Sequence, residues 1–190
     1  IPQALPKDEP PELGKLEVEQ GLRFEYRYTT VLPEGLIPRF IVRTSSLSTD
    51  QTRWRTGVIL RFEGNLALVK ADPLSRSVQV YIHGPSEGRR RLLAIIRSDL
   101  EQIGRSYAIS PQELVPVPDH LGLAIAYQKL ATLEKNGISR IHEVFGDDVV
   151  ELDVSALLDG VDLRGTRISG GRSEYDRIPI VLFVSYSHRD

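Results

Sequence analysis

Three consecutive arginines, Arg89, Arg90 and Arg91, are the residues whose type and spacing first suggest binding chemistry. A guanidinium group pairs well with carboxylates and phosphates, so this run predicts a docking site for acidic residues or phosphate. It falls in the first turn of a predicted helix, where the helix dipole disfavours each exposed cation by about 0.3–1 kcal/mol. Solvation or pairing within the chain is the alternative. Nucleic-acid binding is unfavoured because the run lacks aromatic neighbours and a continuous basic stripe.

Patterns typical of catalytic and metal sites are missing from the sequence. Zero cysteines exclude a thiol nucleophile, a zinc finger and a disulfide scaffold. The chain also lacks Walker A and GxGxxG motifs. The four histidines have no metal-ligand spacing, and the acidic set Asp147, Asp148, Glu151 and Asp153 lacks the ordered oxygen spacing of a calcium loop. We therefore expect no enzyme activity, cofactor or metal in this stretch of sequence.

Two tyrosines lie in a strand-like segment near the start of the sequence. Over residues 22–29, Leu22, Phe24, Tyr26 and Tyr28 alternate with polar side chains. Period two with aromatic residues predicts a half-buried strand. By pattern alone, both tyrosines are expected to be core aromatics.

The elements that must position these residues follow from hydrophobic periodicity. Apolar runs between turn residues predict strands at 57–62, 66–70, 78–82 and 149–152. Apolar spacing of three and four predicts helices beginning near Pro38 and spanning 87–103, 123–135 and 154–158. Helices with one apolar face pack naturally across an antiparallel sheet, so we predict an α+β fold: an antiparallel meander with packed helices. Trp54 is expected to be a packing anchor.

Length, composition and charge set the frame for these elements. The 190 residues contain 24 basic and 26 acidic side chains, divided into net charges of −3 over 1–20, +6 over 21–105 and −5 over 106–190. Zero cysteines and the lack of a signal peptide or membrane span fit a cytoplasmic protein without membrane contact. With zero methionines and an isoleucine at position 1, the chain is expected to be a piece of a larger protein.

Several segments together resemble one family. The segments 32–43 (LPEGLIPRFIVR), 53–57 (RWRTG) and 92–100 (LLAIIRSDL) resemble the C-terminal half of the COR domain of bacterial Roco proteins. LPKDEP at 5–10 and AYQKL at 126–130 are similar to the same module. The resemblance covers roughly residues 1–165.

The end of the sequence carries a second resemblance. VLFVSYSHRD at 181–190 is similar to the first strand and turn of a TIR domain. We accordingly predict a Pro-rich linker at 1–20, a COR C-terminal subdomain at 21–164, a linker at 165–177 and the start of a TIR domain at 178–190. The acidic residue of NAD-cleaving TIR domains would lie further downstream.

The Roco resemblance implies a regulatory role without catalysis. Roco proteins are G proteins in which the Roc GTPase domain precedes COR, so GTP or GDP and Mg²⁺ are expected in an upstream domain. The family implies homodimerisation through this half of COR, association that changes with the nucleotide, and contact with Roc through an aromatic residue near the first strand. Tyr28, then Tyr26, are the positions that carry this role here. A regulatory arm of a TIR NAD hydrolase is the alternative function.

Overall fold

The described residues of the chain adopt an α+β fold. The computed structural model describes residues 5–6, 21–118 and 120–161. Within these ranges, seven antiparallel strands form one sheet and two further strands form a separate hairpin. The fold class predicted from the sequence is confirmed. The linker predicted at 165–177 and the TIR strand predicted at 178–190 lie outside the described residues.

The strands and helices follow one another in a simple order. The strands are β1 (Leu22–Arg27), β2 (Arg53–Trp54), β3 (Gly57–Phe62), β4 (Asn65–Asp72), β5 (Ser77–His83), β6 (Gln112–Pro116), β7 (Ala124–Ala126), β8 (Arg140–Phe145) and β9 (Asp148–Asp153). The α-helices are α1 (Leu36–Arg43), α2 (Ser86–Ser106), α3 (Tyr127–Lys135) and α4 (Val154–Asp159). The large sheet has the order β2-β3-β4-β5-β1-β6-β7, and β8 pairs with β9.

The meander β3–β4–β5 forms where the sequence predicted it. Phe62 pairs with Asn65 across a two-residue turn, in which Glu63 and Gly64 have φ of 47° and 78°. Positive φ at both central positions is typical of the type I′ turn, whose twist matches that of the flanking strands, and glycine adopts it without strain. Trp54, the predicted packing anchor, is fully buried beside Leu68.

Strand β1 completes the centre of the sheet between β5 and β6. Its alternate residues Leu22, Phe24 and Tyr26 are buried, as the period-two pattern predicted. They join the main hydrophobic core under α2. The apolar face of α2 predicted from the sequence is also buried, and it consists of Leu92, Leu93, Ile96, Leu100 and Ile103. Burying each of these side chains contributes about 1.5–3 kcal/mol relative to leaving it exposed.

Two predicted boundaries were wrong. Helix α1 begins at Leu36 and not near Pro38. Proline is tolerated there because the N–H groups of the first helical turn have no partner within the helix. The helix predicted over 123–135 begins only at Tyr127, because residues 124–126 pair with β6 as strand β7. The predicted strand at 149–152 and helix at 154–158 are confirmed as β9 and α4.

Candidate functional site

A groove opens between the C-terminal half of α2 and strands β1 and β6. It has a volume of about 660 Å³. We call it the tyrosine groove, because Tyr26 and Tyr28 both line it. The other side chains used below are Arg97, Glu101 and Arg105 from α2, Glu113 from β6, and apolar neighbours such as Leu100 and Ile109. The sequence resemblance had singled out both tyrosines, and the structure brings them to the same cavity.

The hydroxyl of Tyr26 is buried. The side chain is 2% exposed, and its hydroxyl has no hydrogen-bond partner among the residues that the structure describes. Burial raises the pKa of Tyr26 well above its usual range, and the negative charge of Glu113 raises it further. The phenol therefore stays protonated and can donate a hydrogen bond. A buried donor that lacks an acceptor costs about 1–3 kcal/mol, so this group is a natural place for a partner's acceptor.

Arg97 lies beside Tyr26 and joins three elements. Its Nε and Nη2 donate to the two carboxylate oxygens of Glu113 at 3.0 and 2.6 Å. Its guanidinium carbon also lies 4.1 Å from the centre of the Tyr127 ring and 5.9 Å from that of Phe24. Desolvation is the largest single influence and lowers the pKa of Arg97, but the hydrogen bonds to Glu113 and its negative charge, with smaller contributions from Tyr127 and Tyr26, together raise the pKa. This half-buried cation therefore connects α2 to β6 and α3.

Tyr28 lies just beyond β1 at the end of the groove. Its backbone N–H donates to the Arg76 carbonyl at 2.9 Å, and its side chain is buried. Burial raises the pKa of Tyr28, and Glu113 adds to the effect. At the rim, Arg105 pairs with Glu101 at 2.6 Å, and both side chains are largely exposed. The groove thus combines an apolar wall, a protonated phenol and a charged rim, which suits protein binding.

The three arginines of the predicted docking site do not form a common surface. Arg89 is 2% exposed, and its Nη2 donates to the Gly84 carbonyl at 2.7 Å and its Nη1 to the Asp159 carbonyl at 3.1 Å. Arg90 pairs with Glu134 at 2.8 Å and with Asp159. The structure therefore favours the alternative interpretation, pairing within the chain. The buried position of Arg89 does not support the docking role predicted for it.

Arg91 is the member of the run that points most to solvent. Its side chain is 62% exposed and pairs with Glu63 at 2.9 Å. The Arg90 pKa is raised, chiefly by its hydrogen bonds to Glu134. Docking through Arg90 and Arg91 stays a prediction.

The hydrogen bonds of Arg89 to the carbonyls of Gly84 and Asp159 hold the two ends of the described domain close together. Gly160 follows α4 with φ of +84°, and a β-carbon at this position would lie 2.3 Å from the backbone of Gly21 and Leu22. Only glycine fits such a close approach of two backbones. The chain therefore enters β1 and leaves α4 at the same place, which Arg89 fixes to the end of β5.

Sequence reasoning missed Arg97, Glu113 and Tyr127. Arg97 borders the apolar face of α2, next to Ile96, and an arginine in that position was the available signal. Glu113 lies on a strand that the sequence did not predict. Within the described residues, the structure has no cluster of three or more His, Asp or Glu side chains that could hold a metal, and no helix long and apolar enough to cross a membrane.

Comparison with known proteins agrees with this fold. The family model described as "C-terminal of Roc, COR-B domain" matches residues 19–160, more than half of the chain. No curated protein matches the chain. The matched range contains every strand and helix from β1 to α4, and it includes the tyrosine groove. COR-B is a regulatory domain and not a catalytic one. Because the family model covers more than half of the chain, the chain belongs to the COR-B family and is a regulatory module of the Roc–COR type.

Proposed function

We propose that this COR-B domain couples the nucleotide state of a Roc GTPase domain to homodimer formation, and that the tyrosine groove is the docking site for that GTPase domain. The observation that carries the proposal is the buried Tyr26 hydroxyl, which has no hydrogen-bond partner within the described part of the chain and lies beside the groove of a COR-B domain. GTP or GDP and Mg²⁺ belong to the GTPase domain and not to this chain.

Docking would act on the groove through the pair between Arg97 and Glu113. The hydroxyl of Tyr26 is covered in this structure. A GTPase segment that supplies an acceptor, such as a backbone carbonyl, gains a hydrogen bond only if the pair shifts and uncovers the hydroxyl. A GTPase domain whose surface differs between GDP and GTP would favour the shifted and unshifted arrangements differently. Such differential affinity is what a population shift requires.

Arg105 provides the sharpest test of where the GTPase domain docks. Arg105 at the groove rim and Arg91 at the other end of α2 are both exposed, and each pairs with one glutamate. We expect Arg105→Glu to weaken GTPase-domain binding about tenfold, equivalent to about 1.4 kcal/mol. Arg91→Glu makes the same charge change far from the groove and should leave the affinity unchanged. Isothermal titration with the separate Roc domain, loaded with GDP or a GTP analogue, measures both.

The two variants also separate the competing docking sites. If Arg91→Glu weakens binding and Arg105→Glu does not, the arginine run is the docking site and the groove is not. The coupling is tested on a Roc–COR protein by light scattering, where the dimer fraction should differ between GDP and the GTP analogue. An equal dimer fraction in both nucleotide states would contradict the coupling while leaving the docking site open to the titration.

A further inference from the structure

The β8–β9 hairpin has one face turned away from the domain. On its inner face, Leu152 is buried in the core, Ile141 and Val150 pack partly against it, and Glu143 pairs with Lys129 of α3. Because side chains alternate across a strand, the residues between these point outward. We call them the outer hairpin face, which consists of Arg140, His142 and Val144 on β8 and Val149, Glu151 and Asp153 on β9.

Exposed apolar side chains are concentrated near the tip of this hairpin. Val144 and Val149 pair directly across the two strands and are 73% and 65% exposed. Phe145 follows Val144 and lies on the inner face by the same alternation, where the β-carbon position of Gly122 is 3.7 Å from its ring. Exposed apolar side chains that are scattered singly need no explanation, but the two valines are direct neighbours on one face and form its apolar part.

The charges of the outer hairpin face are arranged by strand. Towards the base of the hairpin, Arg140 pairs across the strands with Asp153 and His142 with Glu151. Strand β8 thus carries the cation and the imidazole, and β9 carries both carboxylates. Arg140 also forms an exposed ion pair with Glu151 at 3.0 Å.

We propose that the outer hairpin face binds the same face of a second copy of this chain, an interface that rests on the dimerisation in the proposed function. A two-fold axis parallel to the strands places β8 of one copy over β9 of the other. Arg140 then faces Asp153 of the second copy, His142 faces Glu151, and the valines of both copies meet. A two-fold axis across the strands would instead place charged rows over valine rows. The face is therefore self-complementary in one orientation, as a two-fold interface requires.

The size of the face sets the strength of this contact. A standard interface uses about 20–30 residues from each partner, whereas the outer hairpin face with its apolar neighbours offers fewer than about ten. The contact alone therefore predicts weak self-association, of the kind that a change in a neighbouring domain is able to shift.

A pair of exposed valines provides matched variants. Val42 on α1 is 74% exposed, almost the same as Val144, but it lies on a different surface. We expect Val144→Glu to raise the dimer dissociation constant at least about 100-fold, because the two-fold axis buries the introduced carboxylate twice and each burial costs at least about tenfold. Val42→Glu should leave the dissociation constant unchanged. Sedimentation velocity on the full chain, from micromolar to millimolar concentration, measures both.

A charge swap tests the orientation. The double variant Arg140→Glu with Glu151→Arg reverses the ion pair within the hairpin, and it places like charges opposite each other between copies. Because position 140 is also directly opposite Asp153 in the same hairpin, we expect a small loss of melting temperature. The dissociation constant should rise at least about tenfold.

The outcomes distinguish the two proposals. If the wild-type chain dimerises and Val144→Glu has the same dimer dissociation constant as Val42→Glu, the hairpin interface is overturned and dimerisation itself is not. A wild-type chain that stays monomeric at millimolar concentration overturns both. Loss of dimer in Val144→Glu and in the charge swap, with Val42→Glu unaffected, supports the interface.

Discussion

Replacing Tyr26 with phenylalanine removes one hydroxyl and leaves the aromatic ring in place. The ring centroid lies 5.1 Å from that of Phe24, and the substitution keeps this packing. What is lost is a buried donor without an acceptor among the described residues. Because such a donor costs about 1–3 kcal/mol, its removal is expected to stabilise the domain. The void left by a single oxygen atom is too small to reverse the sign.

The magnitude follows from the lower end of that range. We expect Tyr26→Phe to raise the free energy of unfolding by about 1 kcal/mol, which corresponds to about 2–4 °C in melting temperature for a domain of this size. Urea unfolding and thermal scans measure this change. The same variant should bind the GTPase domain about tenfold more weakly if the hydroxyl donates to that partner. Higher stability combined with weaker binding is a combination that a residue with a purely structural role does not produce.

Tyr81 offers the matched control. Its hydroxyl donates to Gln79 at 3.2 Å, so Tyr81→Phe deletes a hydroxyl that has an acceptor. We expect this variant to lower the free energy of unfolding by about 0.5–1.5 kcal/mol, the opposite sign. If Tyr26→Phe instead destabilises the domain by a similar amount, its hydroxyl has a partner in solution and the reasoning fails. Unchanged GTPase-domain affinity would remove the hydroxyl from the docking site.

Three further predictions concern pH and the domain junction. Burial raises the pKa of both groove tyrosines in the folded state, so folding retains protons that the unfolded chain loses above about pH 10. Stability should be intact below that pH and fall by about 1.4 kcal/mol per pH unit for each tyrosine above it, and replacing both with phenylalanine should flatten the alkaline unfolding curve. Arg89→Met should lower the free energy of unfolding by about 2–3 kcal/mol because it leaves buried carbonyls unpaired, whereas the exposed Arg91→Met should change it by less than about 0.5 kcal/mol in urea titrations. Gly160→Ala should lower the free energy of unfolding by at least about 2 kcal/mol more than Gly137→Ala. Both glycines have positive φ, but only at Gly137 is the β-carbon position open. Equal melting temperatures of the two variants would contradict the close approach of the backbones at Gly160.

The sequence predicted those elements whose signal is local. Strand β1 alternates apolar and polar residues, and β3, β4 and β5 are apolar runs between turn residues. Helix α2 repeats apolar residues at helical spacing. Each of these patterns can be recognised without knowledge of the neighbouring elements. Strands β6 and β7 are different. Prolines border β6, and β7 has three residues that continue into a helix, so their strand character depends on pairing with β1 and with each other. In β8, Glu143 interrupts the inner face and is compensated by Lys129, a contact that periodicity does not reveal.

The groove was predictable only in part. Tyr26 and Tyr28 were singled out by family resemblance, whereas the pattern alone assigned them to the core. The structure shows them buried and also lining the groove, so the two interpretations are compatible. The pair between Arg97 and Glu113 was out of reach because it joins α2 to a strand that the sequence did not predict. The internal partners of the three arginines were likewise invisible, since Glu134 and Asp159 are distant in sequence.

Helix α2 and α4 form a continuous path from the tyrosine groove to the outer hairpin face. One end of α2 lines the groove, the other holds α4 through the pair between Arg90 and Asp159, and the Asp153 side chain at the end of β9 caps the first turn of α4 by accepting from the Ala156 N–H at 2.8 Å. A contiguous path is not by itself evidence of coupling. Arg90→Met removes the side-chain ion pair of this path at a position that touches neither site, while the hydrogen bond from Arg89 to the Asp159 carbonyl stays. We expect it to leave GTPase-domain binding and the nucleotide-free dimer unchanged, and to reduce the difference in dimer fraction between GDP and GTP analogue in a Roc–COR protein. An undiminished nucleotide response in Arg90→Met would show that coupling does not use this ion pair.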